Sequence, residues 1–173
     1  MKKYPLLETE RLQLRAIDEQ DAKLVLDMFN APKFLQFVGD RNLSTEEDAR
    51  QYILDRMLPQ YNRLGFGNYV LIRKSDNQKM GMCGLFDREG LETVDIGFGI
   101  LPEFEGNGFV YEAACKMRDF GFQDLKLAAI QGITDQENKA SQHLLSKLGL
   151  AYEGLILLPN EEEEIMLYKM DLK

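Results

Sequence analysis

Between Arg11 and Ala16 the chain alternates, with Leu12, Leu14 and Ala16 set against Arg11, Gln13 and Arg15. That is the period-2 pattern of a strand with one buried face. Asp18 then stands as a helix N-cap, with Asp21 three residues on in the capping-box position. Ala22, Val25, Leu26 and Phe29 follow at i, i+3, i+4 and i+7, so a first helix is predicted to run to Phe29 and stop before Pro32. Ser44 and Thr45 cap a second helix, whose buried stripe is Ala49, Tyr52, Ile53 and Met57. Pro59 kinks or ends it.

After the breakers Gly65 and Gly67 the period returns to two. Strands are predicted over 68–74, 79–87 and 94–100, joined by the turns Ser75-Asp76-Asn77-Gln78 and Arg88-Glu89-Gly90, which makes an antiparallel meander. Phe109, Ala113, Met117 and Phe120 lie at helical spacing, a strand spans 128–134, and a last helix runs from Asn138 to Leu148 with Gly149 as its cap. Two closing strands, 151–157 and 165–173, flank the turn Pro159-Asn160-Glu161-Glu162. Seven strands and four helices in this order predict one α+β domain over 1–173, built on a mixed, mostly antiparallel sheet.

One stretch points to chemistry. Val94, Ile96, Phe98 and Ile100 alternate with Asp95, Gly97 and Gly99, so the second face of this strand carries two glycines and could accept something flat or extended. Gly106-Asn107-Gly108 then delivers free N–H groups at a helix start, a natural anion site. A bare strand feeding a phosphate cradle fits a long ligand with an amide-rich arm and a pyrophosphate, which is the shape of coenzyme A.

Charge narrows the partners. A net charge of −8 with no stripe of Lys or Arg argues against nucleic acid, and mildly favours a cationic acceptor such as an amine. Cys83 and Cys115 are too far apart for a metal motif and there is one histidine, so no metal is expected and both thiols read as buried and reduced, in a cytoplasmic protein. No long apolar run follows Met1-Lys2-Lys3, so neither a signal peptide nor a membrane partner is expected.

Four segments together resemble the GNAT superfamily of acyl-CoA N-acyltransferases, and within it the Rim-type branch named for ribosomal-protein N-terminal acetyltransferases. They are Leu7 to Arg15 with Asp21-Ala22; Gly81-Met82-Cys83-Gly84-Leu85; Ile96 to Ile100 through Gly106-Asn107-Gly108-Phe109 and Glu112-Ala113; and Asn138-Lys139-Ala140-Ser141 with Lys147 to Leu150 and Glu153-Gly154. The resemblance implies a seven-stranded twisted sheet with about four helices, whose middle parallel pair, 95–100 beside 128–134, splays apart. It also implies an N-acetyltransferase that moves an acetyl group from acetyl-CoA to a primary amine in a direct ternary complex. A protein N-terminus and a small-molecule amine are both open as acceptor, and a homodimer is compatible.

By the same resemblance, Phe98, Gly99, Ile100, Glu105, Gly106, Asn107, Gly108, Phe109, Val110, Asn138 and Ser141 hold the coenzyme, with a backbone N–H near Gly99 or Ile100 polarising the thioester. Leu145 stands where many members carry a thiolate-protonating tyrosine, so Ser141 is the expected substitute near the sulfur. Asp95, on the glycine face, is the expected base, with Glu103 and Glu92 as alternatives. The loop departs from the family: Glu103, Glu105, Asn107 and Val110-Tyr111 replace its usual polar, aromatic and basic residues. With no cation and a nearby carboxylate, backbone amides are expected to carry the phosphate binding. His143, about 200° around the helix from Ser141, points elsewhere. Glu161 to Glu164 read as a solvated turn, and Tyr168 either lines the cleft or packs.

A dinucleotide-binding oxidoreductase fails, because its fingerprint needs a third glycine where Pro102 stands. A non-catalytic acyl-CoA-binding sensor or degenerate relative remains the alternative that the altered loop permits.

Overall fold

The computed structural model describes residues 4–172. Its frame is one sheet of eight strands in the order β1 (Leu7–Glu8), β2 (Leu12–Ala16), β3 (Asn68–Arg73), β4 (Lys79–Phe86), β5 (Asp95–Ile100), β6 (Ala129–Thr134), β8 (Ile165–Asp171) and β7 (Ala151–Ile156). Every neighbouring pair is antiparallel except β5 and β6. The expected count of seven is thus one short. β1 has two residues, paired Leu7 to Leu14 and Glu8 to Gln13, and two residues carry no readable period. The predicted end of the last strand at Lys173 lies outside the described residues.

Six α-helices form where four were expected: α1 (Ala22–Phe29), α2 (Pro32–Phe37), α3 (Glu46–Tyr52), α4 (Leu58–Leu64), α5 (Phe109–Gln123) and α6 (Lys139–Lys147). Both corrections turn on proline. Pro32 does not merely follow α1; it opens α2, where its missing N–H costs nothing. Pro59 sits in the first turn of α4 without ending the helical run. A wide π turn over Ile53–Met57, closed by the Leu58 N–H on the Ile53 carbonyl, relieves the clash that proline makes with the preceding turn.

The capping box of Asp18 with Asp21 forms as the spacing predicts, and Thr45, expected as a cap, forms a second box with Asp48. Asp21 is fully buried. Burial pushes its carboxyl up, but Arg15 and Lys79 bond it and hold it below the usual carboxylate range.

Helices cover both faces of the sheet. α5 buries Ala113, Met117 and Phe120, and Gly121 brings it against Leu85 and Ile130. α1 lies on the opposite face, with Met28 against Gly99. The centre of the sheet, around β5, is therefore held between helices whose stripes were legible.

Candidate active site

The parallel pair at the centre of the sheet is barely a pair. β5 and β6 share one register contact, Asp95 with Gln131, supported by the Gln131 N–H on the Val94 carbonyl at 2.8 Å. Beyond it the strands part. On its other edge β5 stays fully paired with β4, from Phe86–Asp95 to Gly81–Ile100, and the Leu101 N–H continues to Met80 O at 2.8 Å. Antiparallel ladders alternate, so Gly97 and Gly99 bond to β4 while the N–H and C=O groups of Phe98 and Ile100 face the gap. This corrects one expectation. Gly99 cannot offer its N–H to a ligand, whereas Ile100 and Phe98 can.

The glycine face is also not bare. A Cβ at Gly97 would lie 2.7 Å from the Phe86 ring, and one at Gly99 would lie 2.8 Å from the Met28 methyl. These glycines make room for the protein's own side chains, and the space for an extended ligand lies at the strand edge instead.

That edge leads into the loop before α5. Pro102–Phe104 form one tight turn, and Gly106 and Gly108 follow with φ of +76° and +77°, left-handed values that favour glycine. Among the described residues, the N–H groups from Gly106 to Tyr111 find no protein acceptor; the first helical bond is Glu112 N–H to Gly108 O at 3.1 Å. Six unpaired donors at the positive end of a 15-residue helix make an anion cradle. The Asn107 amide steadies it, donating to Phe104 O at 3.2 Å and Glu105 O at 3.0 Å.

On the glycine side of the gap lies a cavity of about 570 Å³. Phe29, Phe34 and Tyr52 wall it from the helices, Phe86 and Gly97–Gly99 from the sheet, and Asn138 and Ser141 from the start of α6. At its base is Asp95, 1% exposed. Arg88 Nε donates to Asp95 Oδ2 at 3.0 Å, while Oδ1 has no partner. Burial raises the carboxyl, and the Arg88 charge and hydrogen bond, with the Ile133 backbone N–H, offset only part of this, leaving its pKa pushed up to about 6. This buried carboxyl is among the residues that line the cavity. Ser141 is half-buried, and its hydroxyl makes no hydrogen bond to the described residues. Asn138 caps α6, accepting from the Ser141 N–H at 3.2 Å, so one of its polar atoms has a structural task.

Comparison with known proteins agrees with this geometry. The family model of the acetyltransferase (GNAT) domain matches residues 11–151. The chain belongs to the GNAT acetyltransferases. It is 30% identical over 154 residues to a Bacillus subtilis (strain 168) protein named uncharacterized N-acetyltransferase YoaA, covering 88% of this chain and 86% of that one. The acetyltransferase from Agrobacterium tumefaciens str. C58 superposes with a TM-score of 0.83 at 22% identity, covering 99% and 97% of the two chains. RimL, a ribosomal L7/L12 alpha-N-protein acetyltransferase solved with coenzyme A, superposes with a TM-score of 0.73 at 15% identity, covering 98% and 97%. The GNAT fold, with its splayed strand pair, is the one observed, and the chain is an N-acetyltransferase rather than a non-catalytic relative.

Other expected positions in this GNAT enzyme fall differently. Glu103 is exposed and lines a separate cleft with Leu26, Asp27 and Asn30, apart from Asp95 and Ser141, because the Pro102 turn directs it away from the gap. Glu92 is 84% exposed, 3.9 Å from Lys169. His143 is exposed, Leu145 is buried, and Tyr168 packs on Tyr152 with ring centroids 5.6 Å apart. Glu161, Glu163 and Glu164 reach the cavity rim. Cys83 is buried as expected and its thiol is pushed up to about 12 by burial, while Cys115 is only half-buried.

The expectation of a loop without a cation is corrected by the fold, which brings Arg11 and Lys33 to it. Arg11 Nη1 donates to Asn107 O at 3.0 Å, its Nε to Glu112 Oε2 at 2.6 Å, and its guanidinium lies 4.4 Å from the centroid of the Phe109 ring. Lys33 Nζ lies 2.6 Å from Glu105 Oε2 and neutralises the carboxylate that opposes a phosphate. No local signal reveals either residue. Arg11 is 96 residues from Asn107 and Lys33 is 72 from Glu105, so only the fold brings them together.

Proposed function

We propose that this enzyme acetylates a primary amine directly in a ternary complex, with the coenzyme along the free edge of β5 and the amine in the cavity above Asp95. Bound acetyl-CoA supplies an activated acetyl thioester. The Phe98 and Ile100 backbone groups bond the extended arm, the Ile100 N–H polarises the carbonyl, and the Gly106–Tyr111 amides hold the pyrophosphate. Asp95 Oδ1, the oxygen without a partner, accepts the ammonium proton and leaves the amine neutral for attack. Ser141 offers its free hydroxyl to the departing sulfur. Cys83, the thiol at the cavity, is held protonated at neutral pH, which favours direct transfer over a covalent acetyl-enzyme.

One observation carries this reading: β5 keeps a single register contact with β6 and then leaves an open edge that ends at a loop of free amides. Isothermal titration with acetyl-CoA tests it, followed by a screen of peptide N-termini, polyamines, amino sugars and amino acids read by coenzyme A thiol release. Coenzyme binding with transfer to one acceptor class supports the proposal. Absence of binding refutes it.

The free thiols of Cys83 and Cys115 support a reducing compartment such as the cytoplasm. Exposed Tyr152 and Leu155 on edge strand β7 offer a surface for pairing with a second copy.

A further inference from the structure

We infer that the preferred acceptor is an amine that also carries an anionic group, bound across the cavity with its amine at Asp95 and its anion at Arg41 and Arg56. The inference rests on the transfer reading above and adds the substrate class.

Apart from Arg88, which is paired with Asp95, the charges that line the cavity come from separate elements. Arg41, in the segment after α2, and Arg56, in the π turn, line the helical side, and neither has an acidic partner among the described residues. Asp135, Glu161, Glu163 and Glu164 lie on the opposite side, in the loops after β6 and before β8. Asp95, buried and with Oδ1 unpartnered, marks where a positive amine is received. A simple cation such as a polyamine would find acid on one wall and two uncompensated guanidinium groups on the other. An amine with an anion satisfies both sides, and guanidinium binds carboxylate in a planar, bidentate fork.

The backbone supports the same reading. The π turn over Ile53–Met57 places Arg56 and Met57 beside Tyr52 on the cavity wall. Such insertions recur at functional sites because they re-aim side chains. The aromatic rings on the helical wall, Phe29 stacked on Phe34 at 4.2 Å and edge-on to Tyr52 at 5.3 Å, suit an apolar side chain carried beside the amine and the anion. A free amino acid and a peptide N-terminus followed by an acidic residue share this chemistry.

The test offers each amine as carboxylate and as carboxamide. The pairs are L-phenylalanine with L-phenylalaninamide, L-methionine with L-methioninamide, and the C-terminally amidated tripeptides Ser-Glu-Ala and Ser-Gln-Ala. In at least one pair the anionic member should show kcat/KM higher by about tenfold or more, the scale of one charge-assisted contact. The pair that responds separates amino acid from peptide. In the double variant Arg41→Gln/Arg56→Gln that ratio should fall below about threefold, mainly through KM, with acetyl-CoA affinity as the check on folding. Equal or better use of the carboxamides overturns the inference and leaves the transfer reading intact, as does a preference that survives the double variant. If no pair turns over, N-acetyl-L-phenylalanine and its amide are titrated into the coenzyme A complex. Arginine-dependent binding of the carboxylate alone supports the inference, and any other result overturns it. A protein that binds no acetyl-CoA would show a flat coenzyme titration, and both readings would fall.

Discussion

Arg88 holds one oxygen of Asp95 and leaves the other free. Its Nε lies 3.0 Å from Oδ2, the carboxylate is 1% exposed, and Oδ1 has no hydrogen-bond partner among the described residues. Burial therefore outweighs the neighbouring charge, and the pKa rises to about 6. A fully paired carboxylate would be a poor base and an unpaired one would stay protonated. This half-satisfied arrangement lies between the two.

The same imbalance makes Asp95 a stability liability. Its folded pKa is raised above its unfolded value, so the native state binds the extra proton between about pH 4 and 6 and loses stability as pH rises through that window. Asp95→Asn should therefore melt higher than the wild type at pH 7.5, by a margin on the order of 2 kcal/mol, and the gap should close below pH 4. Thermal melts across pH check this. A variant less stable than wild type at pH 7.5 would show that the Arg88 pair stabilises the fold.

Turnover should move the opposite way. Wild-type kcat/KM should rise with pH through a limb centred near 6, as Asp95 loses its proton. Asp95→Asn should lose that limb and fall by about a hundredfold or more. An unchanged pH profile would assign the base elsewhere.

Gly106 and Gly108 meet little: a Cβ at Gly106 has nothing within 4 Å, and one at Gly108 lies 3.6 Å from Arg11. Valine at either position would be resisted by the positive φ, at about 1–2 kcal/mol, and would withdraw the amides from their cradle. Acetyl-CoA affinity should drop more than about tenfold with the fold retained. Titration calorimetry reads this directly. Unaltered affinity in both variants would move the pyrophosphate elsewhere.

Much of this site was legible along the chain. Asp95, Gly106 and Gly108 stand out because strand alternation and loop glycines are local signals, Ser141 came only from the family resemblance, and α5 shows its buried stripe at Ala113, Met117 and Phe120. What was not legible depends on contacts between distant segments. Phe86 and Met28 fill the space over Gly97 and Gly99, β4 takes up the Gly99 N–H, and Arg11 and Lys33 supply cations that the loop itself lacks. The first helix does stop before Pro32, but the helices that begin at Pro32 and around Pro59 were not legible, for a different reason. Proline is excluded from a helix interior but welcome in a first turn, and the residue alone does not say which applies.

Lys33 gives the missing cations a test. Lys33→Ala should leave Glu105 uncompensated beside the phosphate cradle and weaken acetyl-CoA binding about three- to tenfold at low salt, with less effect at high salt. Adding Glu105→Gln should restore most of the loss. Asn107→Lys should not help, because the Asn107 amide bonds two loop carbonyls that lysine would release. Equal loss in the single and double variants would mean that Lys33 acts by some route other than Glu105.

The Ser141 hydroxyl makes no hydrogen bond to the described residues, and the backbone N–H that Asn138 accepts is kept in an alanine, so Ser141→Ala should cost little stability. If its hydroxyl serves the departing sulfur, kcat should fall about tenfold while acetyl-CoA affinity holds. A parallel loss of affinity would make it a binding group instead.

The most direct test of the account is a crystal structure of the protein with acetyl-CoA. The account predicts the extended arm bonded to the backbone of Phe98 and Ile100, the pyrophosphate on the Gly106–Tyr111 amides, and the acetyl group at the cavity that Asp95 faces. Coenzyme bound elsewhere, or β5 and β6 paired along their length with no room between them, would contradict it.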